Sequence, residues 1–386
     1  MHVNKLEIEG VAGIGCLVIG LNRGMNIICG PNGIGKTTIL ESIAQGFAGQ
    51  YASILKRRAV SERGRVKVWL EGEVPFEYDV NGFLPQESGN YVPPNEKIAR
   101  YLLSLKVTRT FNYMPLDAVR RDVQKELQSI CAENKAGVNL VEVKNWFVNR
   151  HLYSKHEGAL TEVQLHNIEK AKSFFSLLNP SYKFSRVDAS SNEIMIETPS
   201  GEILYEYLSS GFKSCISILF GIVKELEFRF SDPGVEIEEF NGVVLIDELE
   251  LHLHPEWQAK ISEVLKSAFP NVQFVVTTHS PHIIQAALPD EIIALGGEGG
   301  YVFKRELPET RYGFQGWTIE EVLKDVMGMN DTRTPIYRNA LIEFEKAVEG
   351  EDFYSASKAF GDLDALLHPE NHLRKLLAFQ LGALKG

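Results

Sequence analysis

A glycine-rich turn between an apolar strand and a helix is the segment with the clearest chemical meaning. Residues 30–37 read G-P-N-G-I-G-K-T, the spacing G-x-x-x-x-G-K-[ST] of a phosphate-binding loop. The glycines let backbone N–H groups approach phosphates, and the helix start adds partial positive charge. We expect Lys36 to reach the β- and γ-phosphates of a nucleotide and the Thr37 hydroxyl to ligate Mg²⁺. The predicted nucleotide-binding residues of the loop are Asn32, Gly33, Gly35, Lys36, Thr37 and Thr38.

An acidic pair follows a second apolar strand. Residues 242–246 are predicted to form a buried strand, and Asp247 and Glu248 come directly after it. In α/β sheets, ligands bind at the carboxyl ends of the strands. Asp247 can therefore hold Mg²⁺ through water, and Glu248 can act as the general base that polarises an attacking water.

Two further segments have polar groups placed to meet a phosphate. His279 follows the apolar strand at residues 273–277, where its side chain can hydrogen-bond a γ-phosphate and sense its loss. Ser209, Ser210 and Gly211 precede a helical run, so they present a hydroxyl and free N–H groups to an incoming phosphate. Taken alone, this serine-glycine segment is also an ordinary helix cap.

These motifs, in this order, resemble the ABC-type ATPases. Lys36 lies in a Walker A loop, Ser210 in an L-S-S-G signature, 247–248 form a Walker B pair, and His279 is a switch histidine. Residues 247–258, D-E-L-E-L-H-L-H-P-E-W-Q, are similar to the SMC, RecF and OLD branch, in which an L-H-P element and T-T-H-S-P are typical. The resemblance covers most of residues 1–295. It implies an α/β P-loop NTPase fold of the ABC-ATPase type that binds ATP and Mg²⁺.

The resemblance also implies an assembly. ATPase heads of this kind dimerise head to tail, so Ser210 and Gly211 of one subunit would cap the γ-phosphate held by Lys36 of the other. We therefore expect a homodimer or a larger even-numbered homo-oligomer with shared ATP sites. Phe212 departs from the pattern, since transporters usually carry Gln or Glu after the signature glycine.

Two assignments stay open at this stage. The Q-loop residue is not identified, and Arg109, Asn112 and Gln124 lie in the region where it is expected. A structural zinc site built from His252, His254, His279 and His282 has metal-like spacings. The phosphate machinery already accounts for His279, which disfavours the zinc site.

The C-terminal part resembles the ATPase subunit of Septu antiphage systems, a subunit type that also accompanies some retrons. The resemblance rests on residues 312–328 and on the helices around residues 340–342 and 353–367. It implies an ATPase whose nucleotide state regulates a separate HNH nuclease, with DNA or retron nucleic acid as a further partner. Asp362 and Asp364 spell a nuclease-like D-x-D, but they fall in a helical run, so no nuclease site is expected in this chain. The alternative is a RecF- or SMC-like repair ATPase that binds DNA directly.

Hydrophobic periodicity gives the strand and helix segments, and together with the resemblance it gives the expected organisation. Residues 1–113 form an ATPase lobe with the Walker A loop, 114–181 a helical insert or lid, 182–310 a second lobe with the other motifs, and 311–386 a helical partner-binding region. The strand, helix, strand order of residues 242–277 predicts parallel pairing in one sheet. Asn81 and Gly82 are a favoured hairpin pair and predict a turn after strands between 66 and 80.

Composition limits the classes of protein. The net charge is −11, which argues against a generally basic nucleic-acid binder. Local DNA contacts would need Lys56, Arg57, Arg58, Arg63 and Arg65, or Arg120 and Arg121. The four scattered cysteines form no C-x-x-C pair, and no apolar run reaches the roughly 20 residues of a membrane helix. We expect a cytoplasmic protein without membrane association.

Overall fold

The computed structural model of the chain describes residues 1–51, 54–73, 75–109, 113, 115–122, 124–299, 301–308, 311–329 and 333–384. Contacts divide the chain into two compact units, Met1–Gly328 and Met329–Gly386. Residues 311–328 were expected in the C-terminal helical region, yet they belong to the first unit. Phe314 and Val322 explain this placement, because both are buried in the core of that unit.

The first unit contains the described strands and most of the described helices. Its strands are β1 (Val3–Val11), β2 (Ile14–Gly20), β3 (Met25–Cys29), β4 (Gln50–Tyr51), β5 (Gly64–Leu70), β6 (Phe76–Val80), β7 (Tyr91–Val92), β8 (Leu102–Leu105), β9 (Lys183–Val187), β10 (Ile194–Thr198), β11 (Gly201–Leu204), β12 (Val243–Ile246), β13 (Gln273–Thr277), β14 (Ile292–Glu298) and β15 (Tyr301–Lys304). Its helices are α1 (Lys36–Ala48), α2 (Glu96–Ala99), α3 (Leu127–Ala136), α4 (Val143–Tyr153), α5 (Glu162–Leu178), α6 (Ser210–Arg229), α7 (Pro255–Gln258), α8 (Ile261–Ala268), α9 (Pro281–Ala286) and α10 (Ile319–Glu321). Short 3-10 turns at Tyr205–Tyr207 and Pro289–Glu291 and a π turn at Val322–Val326 complete it.

The central sheet runs in the order β15-β14-β3-β13-β12-β8 among the described residues. All neighbours in it pair in parallel except β14 and β15. The parallel pairing of β12 with β13 confirms the prediction from the strand, helix, strand order. The sequence of β12 is apolar throughout because both faces are covered: Val244 and Ile246 face one core and Val243 and Leu245 the other. An α/β P-loop fold is therefore confirmed.

An antiparallel sheet, β2-β1-β5-β6, covers one side of the central sheet. Helix α1 contacts strands of both sheets, and its apolar side chains share a core with them. The prediction of a hairpin at Asn81 and Gly82 is wrong. β5 ends at Leu70 and pairs with β6, which begins at Phe76, and Gly72 between them has φ 74°. The Gly82 carbonyl instead accepts a hydrogen bond from the Arg57 N–H at 2.8 Å. Gly72 adopts a positive φ that other residues rarely adopt, so the chain reverses between β5 and β6 and not at Asn81 and Gly82.

Helices α3, α4 and α5 lie in the segment expected to form a helical insert. They pack against α6 and the central sheet instead of standing apart from it: Trp146 and Phe147 of α4 are fully buried, and the Phe147 ring stacks on Phe220 of α6 at 4.7 Å between centroids. A small antiparallel sheet, β11-β10-β9, continues this layer. The segment thus contributes a large share of the core that positions α6.

The second unit is helical in its described residues. Helices α11 (Pro335–Glu349), α12 (Phe353–Leu366) and α13 (His372–Ala383) bury Phe344, Ala356 and Leu363 together. Asp362 and Asp364 lie in α12, as predicted, and the Asp364 carboxylate pairs with Arg374 at 2.6 Å. None of the helices in the described residues is both long and apolar enough to cross a bilayer.

Candidate functional site

The phosphate-binding loop connects β3 to α1, and two of its glycines are required by geometry. Gly30 has φ 145°, and a Cβ there would lie 2.8 Å from the Leu295 carbonyl oxygen. Gly35 has φ 106°, and its Cβ would lie 2.8 Å from the Ile14 side chain. Any larger residue at either position would deform the loop. Asn32 and Gly33 are exposed within the loop.

Lys36 begins α1 and is only 7% exposed. Its Nζ donates hydrogen bonds to the carbonyl oxygens of Gly30 at 2.9 Å and Pro31 at 3.0 Å, so the side chain lies along the loop. Burial lowers the pKa of Lys36, while neighbouring acidic groups, including Asp247, oppose this shift. Thr37 is exposed and Thr38 half-buried in the same first helical turn. The ammonium group is thus held at the loop, where a phosphate would displace the carbonyl contacts.

The carboxylate of Asp247 joins three elements. Thr37 Oγ1 lies 3.2 Å from both of its oxygens, and Thr277 Oγ1 donates to Asp247 Oδ1 at 2.6 Å. Asp247 is 3% exposed, so these bonds offset the cost of burying it. The adjacent hydroxyl and carboxylate oxygens of Thr37 and Asp247 form the all-oxygen donor set that Mg²⁺ prefers. These residues therefore fit the metal that the sequence predicts.

Glu248 follows in the left-handed region, with φ 49°. Its N–H donates to Thr277 Oγ1 at 2.8 Å, and its side chain is half-buried. Arg109, one of the three Q-loop candidates, donates from Nη1 to the Asp247 carbonyl and from Nη2 to the Glu248 carbonyl, both at 2.7 Å. Gln124 instead lines a cavity of about 800 Å³ beside α4 and α6, and Asn112 lies outside the described residues.

Glu250 is a residue of the site that the sequence reasoning missed. Its Oε2 accepts a hydrogen bond from Thr278 Oγ1 at 2.7 Å, and its Oε1 accepts from the His279 N–H at 2.6 Å. The bond to Glu250 holds the His279 backbone, and the His279 residue is exposed. The second glutamate in D-E-x-E, at position 250, was the available signal. Glu250 connects the loop after β12 to the loop after β13.

The serine-glycine segment caps α6. Ser209 Oγ accepts from the Phe212 N–H at 3.3 Å, and Ser210, which begins the helix, is exposed. A Cβ on Gly211 would lie 3.0 Å from Trp257 Cδ1, so the glycine relieves a tight contact between the helix and the segment that carries the L-H-P element. Phe212 packs edge-on against Trp257 at 5.4 Å between ring centroids, which explains the apolar residue after the signature glycine.

The predicted residues fall into two groups. One contains Lys36, Thr37 and Asp247, with Glu248 and His279 on the following loops, and the other contains Ser210 and Gly211 at the start of α6. Among the described residues, no hydrogen bond joins the two groups directly. The four histidines considered for zinc form no metal-ligand group there; the group with suitable spacing is His166, Glu236 and Glu238, in which His166 pairs with Glu238 at 2.9 Å.

A family model and a relative cover most of the chain. Residues 25–285 match the family described as "AAA domain, putative AbiEii toxin, Type IV TA system". The chain is 42% identical to the Septu protein PtuA of Bacillus thuringiensis over 390 aligned residues, which is 98% of this chain and 97% of that protein. Both matches include the phosphate-binding loop and the acidic pair.

More distant similarities are also found. The retron Ec83 probable ATPase of Escherichia coli is 26% identical over 56% of this chain, although that region is only 40% of the retron protein. The SMC head domain of Thermotoga maritima has a TM-score of 0.46 and 16% identity, covering 80% of this chain and all of that one. At that level the likeness carries no information about function. On the near full-length match, the chain belongs to the AAA-domain family and, within it, to the family of Septu PtuA proteins.

Proposed function

We propose that this chain binds ATP with Mg²⁺ and hydrolyses it. The observation that carries the proposal is the hydrogen-bonded set Thr37, Asp247 and Thr277, with Glu248 beside it. Lys36 and the backbone N–H groups of the loop bind the β- and γ-phosphates. Mg²⁺, when held by Thr37 and Asp247, neutralises phosphate charge. Glu248 takes the proton of the attacking water, and His279 contacts the γ-phosphate.

Glu248→Gln tests the assignment of the base. The amide keeps the shape of the side chain but cannot accept the proton, so ATP binding is retained and turnover falls by about 10²- to 10⁴-fold. Bound, unhydrolysed ATP should also trap the dimer, which size-exclusion chromatography with light scattering measures. Glu256→Gln, on α7, is a control that keeps wild-type turnover. Unchanged turnover in Glu248→Gln would remove Glu248 from this role.

We further propose that two copies share each ATP site. Ser210 and Gly211 start a 20-residue helix, and Ser210 is exposed there. The free N–H groups and partial positive charge of such a helix start suit a phosphate held by another protomer. Lys36 occupies a separate helix start, at α1. A head-to-tail dimer would bring the two helix starts to one nucleotide.

Mixing two inactive variants tests the shared site. Lys36→Ala removes the ammonium group that binds phosphate. Ser210→Arg blocks the start of α6, which would contact the nucleotide of the other protomer. Random mixing makes half of the dimers heterodimers, each with one intact site, so activity should return to about a quarter of the wild-type level per subunit. ATPase assays of the mixture, with each variant alone as its control, measure this. No recovery, despite demonstrated subunit exchange, would show that each site lies within one chain.

In its biological role, the chain is proposed to act in antiphage defence as an ATPase that regulates a separate HNH nuclease. Support comes from the similarity to the Septu protein and the retron ATPase. The alternative of direct DNA binding gains less support, since several of its basic residues have partners within the chain. Lys56 donates to the Glu87 carbonyl, Arg57 to the Ser61 carbonyl at 2.7 Å, and Arg65 pairs with Glu77 at 2.9 Å.

Purification from the native host tests this role. A tagged copy should bring down a protein with an HNH nuclease motif, identified by mass spectrometry, because the proposed regulation needs a stable complex. The untagged strain is the control. Recovery of the chain with no nuclease, or duplex DNA alone stimulating its ATPase activity, would favour the repair alternative.

A further inference from the structure

Glu248 has a backbone conformation that its side chain does not favour. Its φ of 49° lies in the left-handed region, which residues other than glycine, asparagine and aspartate rarely adopt. Such a conformation persists only where the surroundings enforce it. The position matters because φ and ψ of Glu248 set the direction in which its carboxylate points.

The guanidinium of Arg109 contacts both peptide groups that flank the Glu248 Cα. Nη1 donates to the Asp247 carbonyl, which belongs to the peptide before Glu248, and Nη2 donates to the Glu248 carbonyl, which belongs to the peptide after it. Both distances are 2.7 Å. One rigid planar group therefore fixes the two peptide planes whose rotation defines φ and ψ of this residue.

A third bond completes the restraint from the opposite side. The Glu248 N–H donates to Thr277 Oγ1 at 2.8 Å, and the same hydroxyl donates to the Asp247 carboxylate at 2.6 Å. Arg109 itself is 5% exposed and also donates to the Lys106 carbonyl at 3.2 Å, which ties it to the end of β8. This arginine clamp, which consists of Arg109 and its bonds to the Asp247 and Glu248 carbonyls, is thus anchored at the end of β8, the strand next to β12.

We propose that Arg109 is a positioning residue for ATP hydrolysis, whose planar guanidinium holds the Glu248 backbone in the left-handed conformation that aims its carboxylate at the attacking water. This inference rests on the proposed function of Glu248 as general base. Arg109 makes none of the phosphate contacts assigned above, so its effect falls on the chemical step and not on nucleotide binding.

A simpler role for Arg109 is to supply positive charge beside Asp247, Glu248 and Glu250. Burial lowers the pKa of Arg109 to about 10, so it remains charged near neutral pH. Lysine keeps that charge but has a single nitrogen and no planar pair of donors. Arg109→Lys therefore separates the two roles: charge alone predicts retained turnover, and the clamp predicts its loss.

The experiment compares ATP binding and single-turnover hydrolysis in Arg109→Lys, Glu248→Gln and the double variant. Arg109→Lys should lower the hydrolysis rate by about a hundredfold, the size expected when a reacting group is displaced by about 1 Å. Its ATP dissociation constant should stay within about threefold of wild type. In the Glu248→Gln background the same substitution should cause little further loss, because Arg109 acts through Glu248. Arg186→Lys, at an exposed arginine paired with Asp188 and Glu202, is the matched control.

Chemical rescue gives a second measurement should the lysine variant fold poorly. In Arg109→Ala, methylguanidinium should restore turnover, because it supplies two parallel donors, whereas methylammonium, with charge but no such pair, should not. Equal rescue by both cations, or by neither, would overturn the clamp.

The outcomes also separate this inference from the proposed function. Wild-type turnover in Arg109→Lys, or multiplying losses in the double variant, would overturn the clamp while leaving Glu248 as the base. Wild-type turnover in Glu248→Gln, or no ATP hydrolysis by the wild-type chain, would instead contradict the proposed function itself.

Discussion

A single buried carboxylate organises the site. Asp247 has almost no solvent exposure, so its negative charge must be met by donors from the protein. The donors are the hydroxyls of Thr37, at the start of α1, and Thr277, at the end of β13. Satisfying this one group brings the phosphate-binding loop, β12 and β13 into a fixed relation.

The parallel sheet makes that arrangement possible. β12 and β13 are neighbours and end at the same edge, so the loops after them lie side by side. Glu250 links these loops through Thr278 and the His279 backbone. Further along, Trp257 packs against Gly211 at the start of α6. The segment after the acidic pair therefore carries both the Glu250 link to the loop after β13 and the Trp257 contact with the serine-capped helix.

Local motifs were predictable from sequence, and tertiary contacts were not. Lys36, Asp247 and His279 could be placed because each follows an apolar strand, and strand ends define the ligand edge of a parallel sheet. Arg109 could not be assigned a role, because the carbonyls of Asp247 and Glu248 that it binds are more than a hundred residues away in the sequence. Glu250 was missed for a related reason, because its carboxylate oxygens accept hydrogen bonds from the Thr278 hydroxyl and the His279 N–H on another loop.

Packing decided the larger features that periodicity left open. Residues 114–181 have helical patterns that fit a separate lid as well as they fit a core layer. Burial of Trp146 and Phe147 against α6 distinguishes the two, and no local signal reports it. The hairpin predicted at Asn81 and Gly82 is the opposite case, in which a local signal was present but misleading. The favourable turn pair lies after β6, whereas Gly72 lies between the two strands that pair.

We propose that Thr37 and Asp247 together hold the metal of a bound nucleotide. The most direct measurement is the ATP affinity of the wild-type chain and Asp247→Asn by calorimetry, with Mg²⁺ and with a chelator. We expect Mg²⁺ to tighten ATP binding in the wild type and this gain to be largely lost in Asp247→Asn. An ATP affinity of the wild type that does not change with Mg²⁺, or an equal gain in affinity in Asp247→Asn, would contradict this role of the two residues.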